Sequence, residues 1–419
     1  MATSSAFLQK GLPAVTNSAH NMYAPAGKWI LGTAASVVGM IHVGGVTRLT
    51  QSGLSMTTWS PLGSLPPMNE EAWQKEFDRY KTFPEWQQRQ SMTLSDFKYI
   101  YGWEYGHRML GRTVGVIFVV PWAYFTLRGR IPAGYQKRMV GLLAMGGTQG
   151  LVGWWMVKSG LGDDRRGDKQ EIRVRPVRLA THLSMAVATY GALLWTGLDI
   201  LGLPHKQTMM DQASKLSKEA LKQASRLRTG SMHLTALTGL TIVSGALVAG
   251  NDAGRAYNTF PKMDGEWIPS EINELNPWYK NLYENTATVQ FNHRVLGMST
   301  AAGALGLVAM GLSPAKAVLI TPQARMGLYA VGGAALGQVT LGITTLLHYV
   351  PISLAAAHQV GSIVVFSSGM FLAHSLRYAR PALSKFHAGS AVSKAAVAGK
   401  STLAKGPTAA APRTPAPTV

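Results

Sequence analysis

Apolar and charged positions fall in long alternating blocks along this chain. Uncharged runs cover 29–47, 113–127, 139–157, 179–198, 229–251 and 295–315. A seventh run, 326–376, is too long for one crossing and breaks at His348-Tyr349-Val350-Pro351 into two. A helix needs about 20 apolar residues to cross the hydrocarbon of a bilayer. The pattern therefore predicts eight spans. The second and sixth start upstream of their uncharged runs, inside two segments that read as copies of one another.

Those copies are Trp103-Glu104-Tyr105-Gly106-His107-Arg108-Met109-Leu110-Gly111-Arg112 and Val289-Gln290-Phe291-Asn292-His293-Arg294-Val295-Leu296-Gly297-Met298. Their shared core is His-Arg-x-Leu-Gly. Each is followed, two spans later, by a further histidine in an apolar run, His182 and His358. The third and seventh spans add a weaker echo, Gln149-Gly150-Leu151-Val152-Gly153 against Gln338-Val339-Thr340-Leu341-Gly342. Four spans per copy is an even number, so both halves point the same way, as a parallel repeat about an axis along the membrane normal. The 45 glycines permit close helix packing in lipid. The fold class expected is all-α integral membrane protein, with eight transmembrane helices as two parallel-repeat four-helix bundles. The expected divisions are an N-terminal tail 1–27, a first bundle 28–202, an inner-side linker 203–228, a second bundle 229–377 and a disordered basic tail 378–419. A short surface helix is one form the linker can take.

Charge refines the picture. The net charge is +20, which would suit a polyanion partner if it were concentrated on one face. It is instead divided by side. The connector 128–138 holds four basic residues and no acid, 203–228 is net basic, and the tail from Arg377 carries seven Lys/Arg and no acid. Connectors 48–100, 158–178 and 252–288 hold most of the carboxylates, although basic residues outnumber acids in 158–178. This is the positive-inside pattern, with both termini on the inner side and large loops outside. It argues against nucleic acid and names the lipid bilayer as the surrounding phase. Cysteine is absent, which excludes disulfides and thiolate metal sites. The first 28 residues are acid-free, with two lysines and no arginine. A mitochondrial targeting segment and a short inner-side tail both fit that composition.

Topology then sets depth. The second, fourth, sixth and eighth spans all run inward, which puts His107, His182, His293 and His358 within roughly 10 Å of the outer ends of their helices. Each bundle thus holds two histidines at one level. Facing imidazoles hold haem iron, and bundle cores are common cofactor sites. Zinc is poorly served by two histidines without a further ligand. Arg108 and Arg294 each follow a candidate ligand. A buried guanidinium needs an anion, and haem propionates would supply one, while a snorkelling arginine reaching the headgroups is the alternative. The copies also differ. Glu104 shares a helix face with His107, whereas the position before His293 carries Gln290; Arg112 becomes Met298. The first site therefore has a carboxylate able to move protons or face a developing charge, unless Glu104 only pairs with Arg108 or Arg112. The second is suited to electron storage. Two loops leave odd-numbered spans on the outer side, Gly44–Met56 with Arg48 and Ala249–Pro261 with Arg255. They read as an ordered lid with its counterpart, or as ordinary connectors.

Taken together, Gly44-Gly45-Val46-Thr47-Arg48-Leu49-Thr50-Gln51-Ser52-Gly53-Leu54-Ser55-Met56, Glu104-x-x-His107-Arg108, Phe291-Asn292-His293-Arg294, Arg178-Leu179-Ala180-Thr181-His182 and Ala357-His358-Gln359 resemble the heme A synthase family, over residues 27–377. The resemblance implies an oxidoreductase that converts the C8 methyl group of heme O to the formyl group of heme A for cytochrome c oxidase. It implies that His293 and His358 hold heme b as cofactor, and that His107 and His182 flank heme O with Glu104 essential to the chemistry. It further implies a ferredoxin-type electron donor, heme O synthase as a neighbour, a homo-oligomer, and the mitochondrial inner membrane or a bacterial plasma membrane. Some bacterial members carry paired outer-loop cysteines, which this chain lacks, and Ser64-Leu65-Pro66-Pro67 is closer to the mitochondrial type. Two other readings fit the histidines: a diheme b electron-transfer protein reacting with quinone, and a histidine-relay transporter.

Overall fold

The computed structural model describes residues 22–165, 171–313, 316 and 320–385. Eight helices in it are long and apolar enough to cross a membrane. They are α1 (Ala24–Leu49), α3 (Leu94–Leu127), α4 (Gln136–Lys158), α5 (Pro176–Gly202), α7 (Lys218–Gly250), α9 (Thr286–Leu312), α10 (Pro322–Leu347) and α11 (Ile352–Ser375). Shorter helices complete the set: α2 (Glu70–Lys81) in the first outer loop, α6 (Lys206–Ser214) between the halves, and α8 (Ala253–Ala256) after α7. No strand occurs among the described residues. The chain is an all-α, multi-pass membrane protein.

Local chemistry sets the helix starts. Side chains of Thr93, Ser217, Asn285 and Thr321 accept the orphan backbone N–H groups of α3, α7, α9 and α10, and Thr93 with Asp96 forms a reciprocal capping box. Proline opens α5 and α10 at positions where its missing N–H is not needed. The starts of α3 and α7 lie further from the apolar runs than the sequence pattern suggested. Phe97 and Tyr101 on the projecting part of α3 pack with Phe77 and Tyr80 of α2, so that aromatic burial extends the helix above the membrane. His107 is consequently 13 residues into α3, about 20 Å from its start. The expected 10 Å fails for this histidine. His182, His293 and His358 each lie within two turns of their helix starts.

Helices α1, α3, α4 and α5 form one ring of neighbours, and α7, α9, α10 and α11 form a second with the same connectivity. Between the rings, α5 meets α7, α1 meets α11, and α5 meets α11. Under the repeat, α1 corresponds to α7 and α5 to α11. The first two contacts are therefore copies, and the third joins equivalent helices, as a two-fold relation requires. Of two apolar clusters, one centres on Ile30, Met139, Leu193 and Ile200 and reaches across the seam to Ile242 and Ile363, and the other lies in the second bundle around Leu227, Ala304, Leu328 and Leu372. The seam between bundles also carries a polar tie, Tyr190 Oη with Ser367 Oγ at 2.6 Å, while within the second bundle Ser231 Oγ donates to the Gly369 carbonyl at 2.7 Å.

The segment 203–228 holds a single 3₁₀ turn, α6 and the first three turns of α7. Residues 379–385 are helical, and Ala382 packs against Ala213 and Leu221. The remaining expected tail, 386–419, and residues 1–21 with the expected targeting segment lie outside the described residues.

Candidate functional site

In each bundle the two histidines of the repeat point inward against glycines. A methyl group on Gly44 of α1 would stand 3.0 Å from His107 Nε2, and one on Gly153 of α4 would stand 3.0 Å from His182 Cε1. In the second bundle a methyl on Gly245 of α7 would be 3.1 Å from His293 Cε1, and one on Gly342 of α10 would be 2.7 Å from His358 Cε1. Each imidazole thus lies flush on a neighbouring helix at a place where a Cβ would push it away. Gln149 and Gln338 act as second copies of one device. Each donates to the backbone carbonyl of its histidine, His182 at 3.0 Å and His358 at 2.9 Å. The sequence echo that served to align α4 with α10 therefore marks groups that seat the histidines.

The His293 and His358 rings are 6.5 Å apart between centroids and nearly perpendicular. Metal–imidazole bonds are about 2 Å long, so two rings sharing one metal have centroids roughly 6 Å apart. The pair fits that separation. Ser244 Oγ donates to the Thr241 carbonyl at 2.7 Å, which leaves its oxygen to accept from His293 Nδ1 at 2.8 Å. That bond places the proton on Nδ1 and keeps the Nε2 lone pair for a metal. Among the described residues no group of three or more His, Cys, Asp or Glu converges on a metal site. A metal held by either pair must then draw its remaining ligands from outside the protein, as haem iron does from a porphyrin.

The bundles diverge one turn before the first histidine. Glu104 is 3% exposed and accepts from Arg108 Nε at 2.6 Å. Gln290, equally buried, has a side-chain oxygen with no partner. The arginines reach upward. Arg108 donates to the Thr58 and Met56 carbonyls at 2.7 and 2.9 Å, and Arg112 to Ser60 at 2.7 Å. Arg294 donates to Tyr257, Thr259, Pro261 and Lys262, at 3.0, 2.7, 3.2 and 3.2 Å. In these contacts the anion expected for Arg108 is Glu104, and Arg294 meets only carbonyl oxygens. Its Nε is buried without a partner.

A family model described as "Cytochrome oxidase assembly protein" (COX15-CtaA) matches residues 27–370, which takes in both histidine pairs and their glycines. The chain belongs to this family. It is 44% identical over 362 residues to the Heme A synthase COX15 of Arabidopsis thaliana, covering 86% of this chain and 76% of that protein. It is 40% identical over 373 residues to the human Heme A synthase COX15, covering 88% and 87%. It is 38% identical over 371 residues to the Heme A synthase of the bacterium Nitrosospira multiformis, covering 87% and 97%.

In this member of the COX15-CtaA family the two outer loops meet above the bundles. Arg48 donates to the Ala249 carbonyl at 2.7 Å and to Asp252 at 3.3 Å; Asp252 also pairs with Arg173. Gln51 bonds Glu171 and accepts from Arg89 at 2.8 Å. Gln51 and Asp252 occupy equivalent places after α1 and α7, and both have left-handed backbones, with φ of 55° and 48°. Ser52, Leu54 and Ser55 are buried, so the first loop is a packed cap. Under it Glu85 accepts from Tyr80 Oη at 3.0 Å and pairs with Arg89 at 3.2 Å. Burial pushes its carboxyl up to about 7, against the pull of Arg89 and the Tyr80 hydrogen bond. Sequence reasoning missed Ser244, Gln149, Gln338 and the four glycines as site residues. The Gln-x-x-x-Gly spacing was a visible signal for one helix of each bundle. Ser244 has no repeat partner, since Val43 stands at its counterpart, and carried none.

Proposed function

We propose that this protein is a heme A synthase that oxidises the C8 methyl group of heme O to a formyl group. His293 and His358 hold heme b as the resident cofactor, and His107 and His182 flank the substrate haem. The observation that carries the reading is the pair of repeat-related, glycine-seated histidine sites of which only one has a buried carboxylate. Heme b, when bound, supplies an electron-transfer centre. The residues do the rest. Ser244 orients His293, and Gln338 holds the backbone of His358. Converting a methyl to a formyl group removes hydrogens and adds one oxygen atom, a net oxidation for which an external oxidant such as dioxygen must accept the electrons. Glu104, on the face of α3 that bears His107, accepts a proton or stabilises positive charge developing on the methyl carbon. Arg108 orients that carboxylate and ties it to the cap. Arg294, with its buried Nε unpaired, would hold a propionate of the cofactor, and Arg108 would supply positive charge to the substrate.

The Schizosaccharomyces pombe relative, 39% identical over 366 residues, is a "Heme A synthase-mitochondrial ferredoxin fusion protein", of which this chain covers 59%. That supports a ferredoxin-type electron donor. The plant and human relatives fit the mitochondrial inner membrane reading, and the bacterial relative fits the bacterial plasma membrane alternative.

The test is haem extraction after expression in cells that make heme O but no heme A. Heme A in the extract is the expected result. Heme b alone would favour a diheme electron carrier, and no haem a transporter.

A further inference from the structure

The two bundles close differently on their lipid sides. In the second, α9 and α10 pack along their length, and a methyl on Gly332 would stand 3.0 Å from Val308 Cγ2. In the first, α3 and α4 meet only sparsely. The most apolar stretch of α4 is 6% buried against 22% for α10, and that of α3 is 11% against 28% for α9. The repeat shows the cause. Aligned on the histidines and on Gln-x-x-x-Gly, Val308 corresponds to Trp122 and Gly332 to Leu143. Two larger side chains thus stand in the first seam where the second has Val308 and Gly332. Trp122 is fixed by a 3.1 Å bond to Gln136, and Leu143 is 40% exposed.

Nearer the histidines the substitutions reverse in size. Ala301 and Ala335 are 9% and 3% exposed in the closed seam. Their counterparts Gly115 and Gly146 are exposed, and a methyl on either would meet nothing within 4 Å. Met139, Leu142, Gly146, Gln149 and Gly153 recur at helical spacing on one face of α4. Met139 and Leu142 are buried at the lower end of that face, and Gln149 and Gly153 touch His182 at the upper end. Gly146 therefore lies about 10 Å below Gly153 on the face that leads to the substrate histidines. That face runs from the open part of the seam up to His182.

We propose that the α3–α4 seam is a lateral cleft that binds the isoprenoid tail of the substrate haem, and through which that haem enters from the bilayer. This rests on the reading of the first bundle as the heme O site. Heme O carries a long isoprenoid chain that heme b lacks. A bundle that keeps heme b needs only to enclose the ring, and its seam is shut. A bundle that takes heme O and releases heme A must house an apolar chain and let it pass. The floor of the cleft is glycine, which leaves space for the chain, with the larger Trp122 and Leu143 below it.

Heme b-loaded protein in lipid nanodiscs, without reductant, is titrated with heme O and separately with tail-less heme b at the first site. Wild type is expected to prefer heme O. Gly146→Leu and Gly115→Leu fill the cleft, and each buried methylene contributes about fourfold in affinity. Expelling two or more predicts a loss of about tenfold or more for heme O, with tail-less haem unchanged. The resident heme b spectrum reports that the fold is intact. Should a leucine variant misfold, Gly146→Cys gives a second readout, because the chain has no cysteine. Labelling of that thiol by a lipid-soluble maleimide is expected to be blocked by heme O and not by tail-less haem. Equal affinity for the two haems in wild type, undiminished heme O binding in the leucine variants, or labelling insensitive to heme O would each overturn the proposal. Failure of wild type to convert bound heme O when reductant and dioxygen are both supplied would instead overturn the reading on which it rests.

Discussion

In both bundles one histidine rises from the second helix and one from the fourth, each lies on a glycine of a neighbouring helix, and a glutamine holds the carbonyl of the second. What differs is around that frame. The second bundle has Ser244 fixing a tautomer, a neutral Gln290 and a closed outer seam. The first has Val43, a buried Glu104–Arg108 ion pair and an open seam. One scaffold has thus been specialised twice. The changes that would make a fixed electron carrier sit together in one half, and those that would make a reaction site for a passing substrate sit in the other.

Removing a ligand breaks this comparison hardest. His293→Ala or His358→Ala is expected to abolish tightly held heme b, while His107→Ala or His182→Ala leaves it in place. Reduced-minus-oxidised spectra of the purified variants check both halves. A six-coordinate heme b spectrum that survives in either of the first two variants would reverse the assignment of cofactor and substrate bundles.

Glu104→Gln comes next. The second bundle already carries Gln290 at this place, so the helix and the heme b site should be kept. The charge and the exchangeable proton are lost, and positioned acid–base groups typically contribute about 10²–10⁴-fold. Haem analysis of cells carrying the variant is expected to show heme O or a partly oxidised product in place of heme A. Normal heme A would leave Glu104 as an anchor for Arg108.

Much of this was legible in the chain because the bilayer forces it. Uncharged runs gave eight spans, and the His-Arg-x-Leu-Gly copies gave the repeat and the four histidines. Their exception is instructive. His107 lies deeper along its helix than its partners because α3 is prolonged by an aromatic cluster on α2, and no hydropathy rule anticipates burial against a loop helix. The seats beneath the histidines were not legible for a different reason. A glycine in a membrane helix is common, and only the close approach of another helix shows that Gly44 or Gly342 is needed where it stands. The arginines were legible only in part. Their sequence neighbours offered no acceptors to Arg294, but the loop carbonyls that it binds come from more than thirty residues away.

A smaller effect separates the two sites by a single hydroxyl. Ser244→Ala removes the acceptor of His293 Nδ1 and leaves the ring free to rotate or change tautomer. Losing such an outer partner typically costs about 10–100-fold in metal affinity. The expected result is faster loss of heme b to a haem-scavenging protein, with the haem still six-coordinate when bound. Unchanged heme b retention would mean that Gly245 alone fixes the ring.

The smallest effect on either site is expected above them, in the cap of the first bundle, which includes the long loop helix α2. Glu85 is buried with Tyr80 and Arg89, and its carboxyl is held at about 7 rather than the ordinary 4.5 because burial disfavours its charge. A folded-state value raised above the unfolded one means that the folded protein binds the extra proton between those limits. The contribution to stability is present below the ordinary carboxyl range and is lost as the pH rises to about 7. Tyr80, raised by the same burial and by the nearby carboxylate, remains protonated throughout and keeps donating. Glu85→Gln retains an acceptor for Tyr80 but cannot ionise, so it should flatten the pH dependence of cap stability between about 4.5 and 7. Limited proteolysis of the first outer loop across that range measures the cap, and the heme b spectrum, followed in parallel, should not move. If the variant and the wild type become protease-sensitive at the same pH, the packing of Phe77, Tyr80 and Phe97 holds the cap without help from Glu85. The difference between the two bundles would then reside entirely below it, at Glu104 and the α3–α4 seam.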